Sequence, residues 1–235
     1  MSRSIGLIPA TAGIALACAA GLFLGSRMTG ASDDSTFGRK VRAYILAHPE
    51  VVAEAGERLR IGPYRKAIET PFAGAWAGNP RGDVTLVMFT DYNCPYCRAT
   101  SPEIDRLLAG DPKVRVVWRE MPVLGPSSEA AAAASLAAAR QGRYYPFHRA
   151  LFAGGHPDAV ATAVAAKAVG IASASLATAS KAPDVQMEIQ TNLALGRQLG
   201  IEGTPFFVIG NRTYQGAIGY EGLAAAVADA RHAIR

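Results

Sequence analysis

Hydrophobic and polar positions divide the chain into blocks of different period. Ile5 to Leu24 contains no charged residue at all. From Phe37 to Ile61 the apolar positions Val41, Ile45, Val52, Ala55 and Leu59 fall on three- and four-residue steps, the spacing of one helical face. Pro49 is excluded from a helix interior but suits the first turn of a new one, so two short helices are predicted over 36–47 and 50–60. Residues 62–82 carry Gly62, Pro63, Pro71, Gly74, Gly78, Pro80 and Gly82 and read as linker and loop. The run Val84-Thr85-Leu86-Val87-Met88-Phe89-Thr90 predicts a strand, Ala99 to Ala109 a helix, and Val114 to Arg119 a second strand. An alanine-rich helical stretch then runs from Gly125 to about Leu199, with breaks at Gly142, Gly154-Gly155, Gly170 and Pro183. Short strands at Phe206–Ile209 and Thr213–Gln215, joined by Gly210-Asn211-Arg212, and a helix over 220–230 complete the chain. The order is a βαβ unit, a helical block and a ββα unit: an α/β fold around one small sheet.

Three parts precede that fold. Residues 1–31 resemble an address, with positive charge at Arg3 and an apolar run bordering between a secretory signal and a spanning helix. Small residues permit cleavage after Ala19, Ala20 or near Ala31. A cleaved signal and an uncleaved anchor through residues 5–24 both place the remainder in the periplasm or outside the cell. Residues 32–62 form an N-terminal helical segment whose apolar stripe either packs on the main domain or makes a self-association seam. Residues 63–82 are the expected linker, and 83–235 the main domain, with its helical insertion at about 125–200.

Composition narrows the function classes. Charged residues are 18% of the chain and hydrophobic ones 50%, which excludes intrinsic disorder. A net charge of +5, with Lys and Arg scattered, disfavours nucleic-acid binding. Removal of residues 1–31 takes Arg3, Arg27 and Cys18 with it, leaving 22 basic residues against 19 acidic and only Cys94 and Cys97. The four histidines are far apart in sequence and read as core or surface residues, so no metal site is expected.

The segment Asp91-Tyr92-Asn93-Cys94-Pro95-Tyr96-Cys97-Arg98 lies between a predicted strand and a predicted helix. Zinc would need a second ligand pair, and a passive bridge across two residues closes too short a loop to constrain the unfolded chain. Redox chemistry fits the spacing. Cys94 faces unpaired backbone N–H groups and the positive end of the helix dipole, which favour its thiolate. Pro95 takes the first helical turn without wasting a donor, and Cys97 lies one turn deeper, within reach of Cys94. Tyr96 adds a hydroxyl near the sulfur without adding charge.

Strand, Phe89 to Cys97, helical insertion and then Gly203-Thr204-Pro205-Phe206-Phe207-Val208-Ile209 together resemble the DsbA-like branch of the thioredoxin superfamily. The resemblance implies a thioredoxin-like fold with a helical insertion over about residues 80–235. It implies catalytic Cys94 and Cys97, with Pro95 and Tyr96 shaping the site. It places Pro205 as a cis proline facing the cysteines and Thr204 as a backbone partner of extended substrates. Residues 37–60 are also similar to the N-terminal segment of the suppressor-of-copper-sensitivity C proteins, where it mediates trimer formation in some members. The implied protein is a disulfide oxidoreductase or isomerase with no dissociable cofactor, client proteins carrying thiols or disulfides, and a membrane redox partner. Glu120 is a candidate proton acceptor for Cys97, although Arg119 beside it and the following loop favour a solvated carboxylate; the same holds for Asp91. A competing class is a non-enzymatic exported protein that sequesters copper on Cys94 and Cys97, since thiolates select monovalent copper.

Overall fold

The structure, a computed structural model, describes residues 36–233, so the address expected over 1–31 and Cys18 lie outside the described residues. The chain divides into two units between Val52 and Ala53. Helix α1 (Thr36–Ala47) and helix α2 (Pro49–Ile61, with Pro49 as its first residue) fall where the periodicity places them. No residue of α1 is buried, and Phe37, Val41, Ile45 and Leu46 are exposed along it.

From residue 53 onward the chain builds five strands and their covering helices. The stretch expected as linker and loop holds a 3₁₀ turn (Gly62–Tyr64), helix α3 (Arg65–Glu69) and strand β1 (Trp76–Gly78). Next come β2 (Val84–Thr90), α4 (Pro95–Gly110) and β3 (Val114–Glu120). The helical block resolves into α5 (Pro126–Arg140), α6 (Tyr144–Ala153), α7 (Ala159–Ala168), α8 (Ser173–Ala179) and α9 (Pro183–Gln198). Strands β4 (Phe206–Ile209) and β5 (Arg212–Gln215) and helix α10 (Gly219–Ala233) follow. Each break in the block falls at a glycine or proline that the pattern singles out, residues that weaken a helix interior without forbidding it, as Gly196 within α9 shows.

The sheet order is β1-β3-β2-β4-β5, with β2 and β3 parallel and every other pair antiparallel. Strand β1 is too short to carry a periodic signal; it exists because the edge of β3 offers it hydrogen-bond partners from Trp76↔Val117 to Gly78↔Arg115. At the β4–β5 turn Gly210 adopts φ +57°, and a Cβ there would stand 2.8 Å from the Ala230 Cβ. Alternation along β2 and β3 separates two cores. Leu86, Met88, Val114, Val116 and Trp118 face the first, with the alanines of α5, the aromatic residues of α6 and both cysteines. Val87, Phe89 and Val117 face the second, with Ile61, Ile68, Leu195 and Leu199. All nine residues from Ala131 to Ala139 of α5 are buried, and seven of them are alanine, the small residue that lets helices approach closely.

Candidate active site

Register explains why two motifs 110 positions apart meet. Strand β2 runs into the Cys94 loop, and antiparallel β4 leaves from Pro205, with Phe89 opposite Phe206. The end of one strand therefore lies beside the start of the other. Cys94 is the N-cap of α4 with extended backbone (φ −75°, ψ 117°), and Pro95 takes the first helical position. Its N–H donates to the Asp91 carbonyl at 3.1 Å, and its own carbonyl accepts the first helical bond from Arg98. The Cys94 Sγ lies 3.0 Å from the Thr204 carbonyl oxygen, which accepts from the protonated thiol. The Thr204–Pro205 peptide is cis. Cys94, Cys97, Thr204 and Pro205 thus converge, while Tyr96, 64% exposed, stands on the rim.

Both cysteines are free thiols, and their surroundings pull them in opposite directions. Cys94 is held down to about 5, first by the hydrogen bond from the Cys97 thiol, then by the Thr204 side chain and by the backbone N–H groups of Cys97 and Tyr96; these outweigh burial, which acts the other way. Cys97, fully buried, is pushed up by desolvation and by the hydrogen bond it gives to Cys94. The site therefore holds one ionised sulfur near the surface and one protonated sulfur beneath it.

The neighbouring acids are not solvated, contrary to the expectation from sequence. Arg119 and Glu120 are both buried because consecutive strand residues point to opposite faces, and both faces of β3 are covered. Arg119 turns to the second core. There it donates to Glu188 Oε1 at 2.7 Å, to the Ile68 carbonyl at 3.0 Å, and to the Ala67 and Thr70 carbonyls. Glu120 turns to the first core, where its Oε1 accepts from Tyr144 at 2.6 Å and from Tyr92 at 3.1 Å. Tyr92 also accepts from Ser135 Oγ and lies 2.8 Å from His148 Nδ1. Burial pushes Glu120 up to about 8 despite these donors, and holds His148 down to about 3. Glu120 Oε2 is buried with no partner.

Asp91, also buried, performs a different task. Its Oδ1 accepts from the Asn93 N–H at 2.8 Å and the Ser128 hydroxyl at 2.6 Å, and its Oδ2 from the N–H groups of Val123 at 2.8 Å and Leu124 at 3.0 Å. Asn93 closes the same junction by donating from Nδ2 to Ser127 and Ser128. Sequence reasoning passed over Ser127, Ser128 and Asn93. The available signal is the Gly125-Pro126-Ser127-Ser128 helix start, whose hydroxyls suit such bonds. Among the described residues no group of three or more His, Cys, Asp or Glu side chains is placed to hold a metal ion.

Residues 85–228 match the DsbA-like thioredoxin domain. The chain belongs to the DsbA-like thioredoxin family. The family resemblance read from the two motifs and the thioredoxin-like α/β fold are thereby both established, and this is a family of oxidoreductases. A thioredoxin-like oxidoreductase from Silicibacter pomeroyi is 42% identical, with 70% of this chain and 95% of that one covered at a TM-score of 0.67. The catalytic domain of Proteus mirabilis ScsC is 29% identical, with 74% and 97% covered and a TM-score of 0.67. Among curated proteins, the Na(+)/H(+) antiporter NhaA 3 of Salinispora tropica is 30% identical over 169 residues, 65% of this DsbA-like chain and 24% of that protein. The chain thus spans about a quarter of the length of that relative.

Proposed function

We propose that this DsbA-like protein is an exported thiol–disulfide oxidoreductase acting on client proteins through Cys94 and Cys97. The observation that carries the reading is Cys94, the N-cap residue of α4, whose thiolate the Cys97 thiol and the backbone N–H groups of Tyr96 and Cys97 favour at neutral pH. In the reducing direction the Cys94 thiolate attacks one sulfur of a client disulfide, and the other client sulfur leaves as a thiolate that takes up a proton. Cys97 then loses its proton and attacks Cys94 Sγ, releasing the second client thiolate and leaving a Cys94–Cys97 disulfide. Oxidation is the reverse, and isomerisation follows when a client thiol resolves the mixed disulfide instead. Pro95 and Tyr96 shape this site, and the backbone at Thr204 and Pro205 receives the extended client. The dithiol carries both electrons, so no dissociable cofactor is needed.

Two features refine the reading. The uncharged run Ile5 to Leu24 supports export, with the domain periplasmic or held at a membrane, where a membrane redox partner resets the cysteines. The exposed apolar residues Phe37, Val41, Ile45 and Leu46 of α1 support assembly into a homo-oligomer through residues 37–60, the arrangement that favours isomerisation. Insulin reduction and refolding of scrambled ribonuclease, run on the wild type and on Cys94→Ala, test the activity. Turnover by the wild type alone is expected. Tight retention of monovalent copper without disulfide exchange would replace this reading with metal sequestration. Light scattering before and after removal of residues 36–52, which leaves Arg60 and Ile61 in place, tests assembly; a monomer in both cases ends the oligomer proposal.

A further inference from the structure

Val123 and Leu124 are two consecutive apolar residues in a loop, 47% and 50% exposed. Loops that face water are ordinarily polar, and these two are held rigidly. Their backbone N–H groups both donate to Asp91 Oδ2, while Oδ1 of the same carboxylate holds the N–H of Asn93, the residue before Cys94. The Asp91 carbonyl accepts from the Cys94 N–H as well. One buried residue therefore fixes the reactive cysteine and an apolar step in a single frame, with Ser128 locking the start of α5 into it. Cys94 itself is only 3% exposed, so a client sulfur that reaches it brings its flanking residues down onto the surrounding rim. Three segments that meet there, residues 92–97, 121–128 and 203–206, contain no acidic or basic side chain, and the charged residues Arg98, Glu129 and Glu202 stand at their ends. The exposed large apolar side chains of the three segments are Tyr96, Val123 and Leu124.

We propose that Asp91 is a positioning residue for client recognition, fixing the Val123–Leu124 step beside the Cys94 loop so that it receives an apolar side chain flanking the cysteine of an extended client. The proposal rests on the oxidoreductase reading above and adds to it the class of client. Specificity arises because an apolar flank buries surface against Val123 and Leu124, whereas a polar flank there loses water without gaining a partner. A carboxylate is required at 91 because four donors converge on it. An amide at that position turns its own N–H₂ toward one pair of donors and leaves them unpaired.

The test uses two glutathionylated peptides of equal length, one with leucine and one with serine beside the cysteine, and reads the ratio of their kcat/KM values. Both react at the same Cys94, so a merely structural loss slows them alike and leaves the ratio unmoved. The wild type is expected to prefer the leucine peptide about tenfold, the scale of a small apolar contact. In Asp91→Asn, and in the exposed double variant Val123→Ser/Leu124→Ser, that ratio is expected to fall toward one, through KM. Equal rates for the two peptides in the wild type, or an unchanged ratio in the double variant, overturn the proposal. A ratio lost in the double variant but kept in Asp91→Asn overturns the role of Asp91. If Asp91→Asn does not fold, Asp91→Glu, which keeps the carboxylate but displaces it, takes its place, and an unchanged ratio in that variant likewise overturns the role of Asp91. A wild type that exchanges with neither peptide refutes the oxidoreductase reading, a result distinct from all of these.

Discussion

The N-terminus of α4 and the polar cluster behind it each hold a weak acid out of water, and they treat it oppositely. Cys94 is surrounded by donors: the Cys97 thiol, the Thr204 side chain and two backbone N–H groups, enough to outweigh burial and bring it down to about 5. Glu120 has two tyrosine hydroxyls on one oxygen and nothing on the other, and burial carries it up to about 8. Burial alone therefore does not set the sign of a shift; the number of donors aimed at the charge does. A helix start supplies such donors as a by-product of its geometry, whereas a side-chain cluster supplies only those its residues bring.

The largest break in this comparison is Cys94→Ser, which removes the polarisable sulfur and is expected to bring client exchange to background in the insulin assay. Next comes Cys97→Ala, which deletes the first of the donors on Cys94. Its thiolate absorbance should then titrate above the wild-type midpoint of about 5, moving toward the ordinary thiol range, and a midpoint left in place would show that the helix start acts alone. The wild-type midpoint has a consequence for stability. The folded value lies below the unfolded one, so the reduced protein gains stability as pH rises from about 5 toward 9 and loses it as pH falls back through 5.

Glu120→Gln sharpens the other side. A carboxyl raised to about 8 stays protonated in the folded chain while it ionises in the unfolded one, so the wild type loses stability as pH climbs from about 4 to 8. The glutamine variant lacks that loss. Its stability advantage in urea titrations should therefore widen over that window, and a gap independent of pH would refute the assignment. The smallest effect is expected away from both regions. Arg231→Ala breaks the half-exposed pairs to Asp83 and Asp111 and should cost only about 0.5–1.5 kcal/mol in the same assay.

How much of this is legible in sequence depends on how local each feature is. The β-formers of 84–90 and the glycine and proline breaks from 142 to 183 act on their own neighbours, and the elements fall within a few residues of the pattern. The Cys-Pro-Tyr-Cys segment is similarly local, and its placement after a strand put the sulfur at a helix start. The burial of Asp91 and Glu120 was not legible. It depends on α5 and α6 covering the first face of the sheet, and a charged residue followed by a loop reads as solvated until its covering layer is known. Strand β1 and helix α3 were missed for the same reason: three and five residues, stabilised by what they pack against rather than by any period of their own.

The Arg119 guanidinium has a bearing on where the chain can be cut. Its acceptors at Ala67, Ile68 and Thr70 all precede the first central strand. A truncation that begins at residue 83 would keep the cysteines and most of the sheet, yet strand a buried cation with only Glu188 and Asn192 for company. The smallest portion able to fold independently therefore reaches back through α3, well ahead of any motif that announces its chemistry.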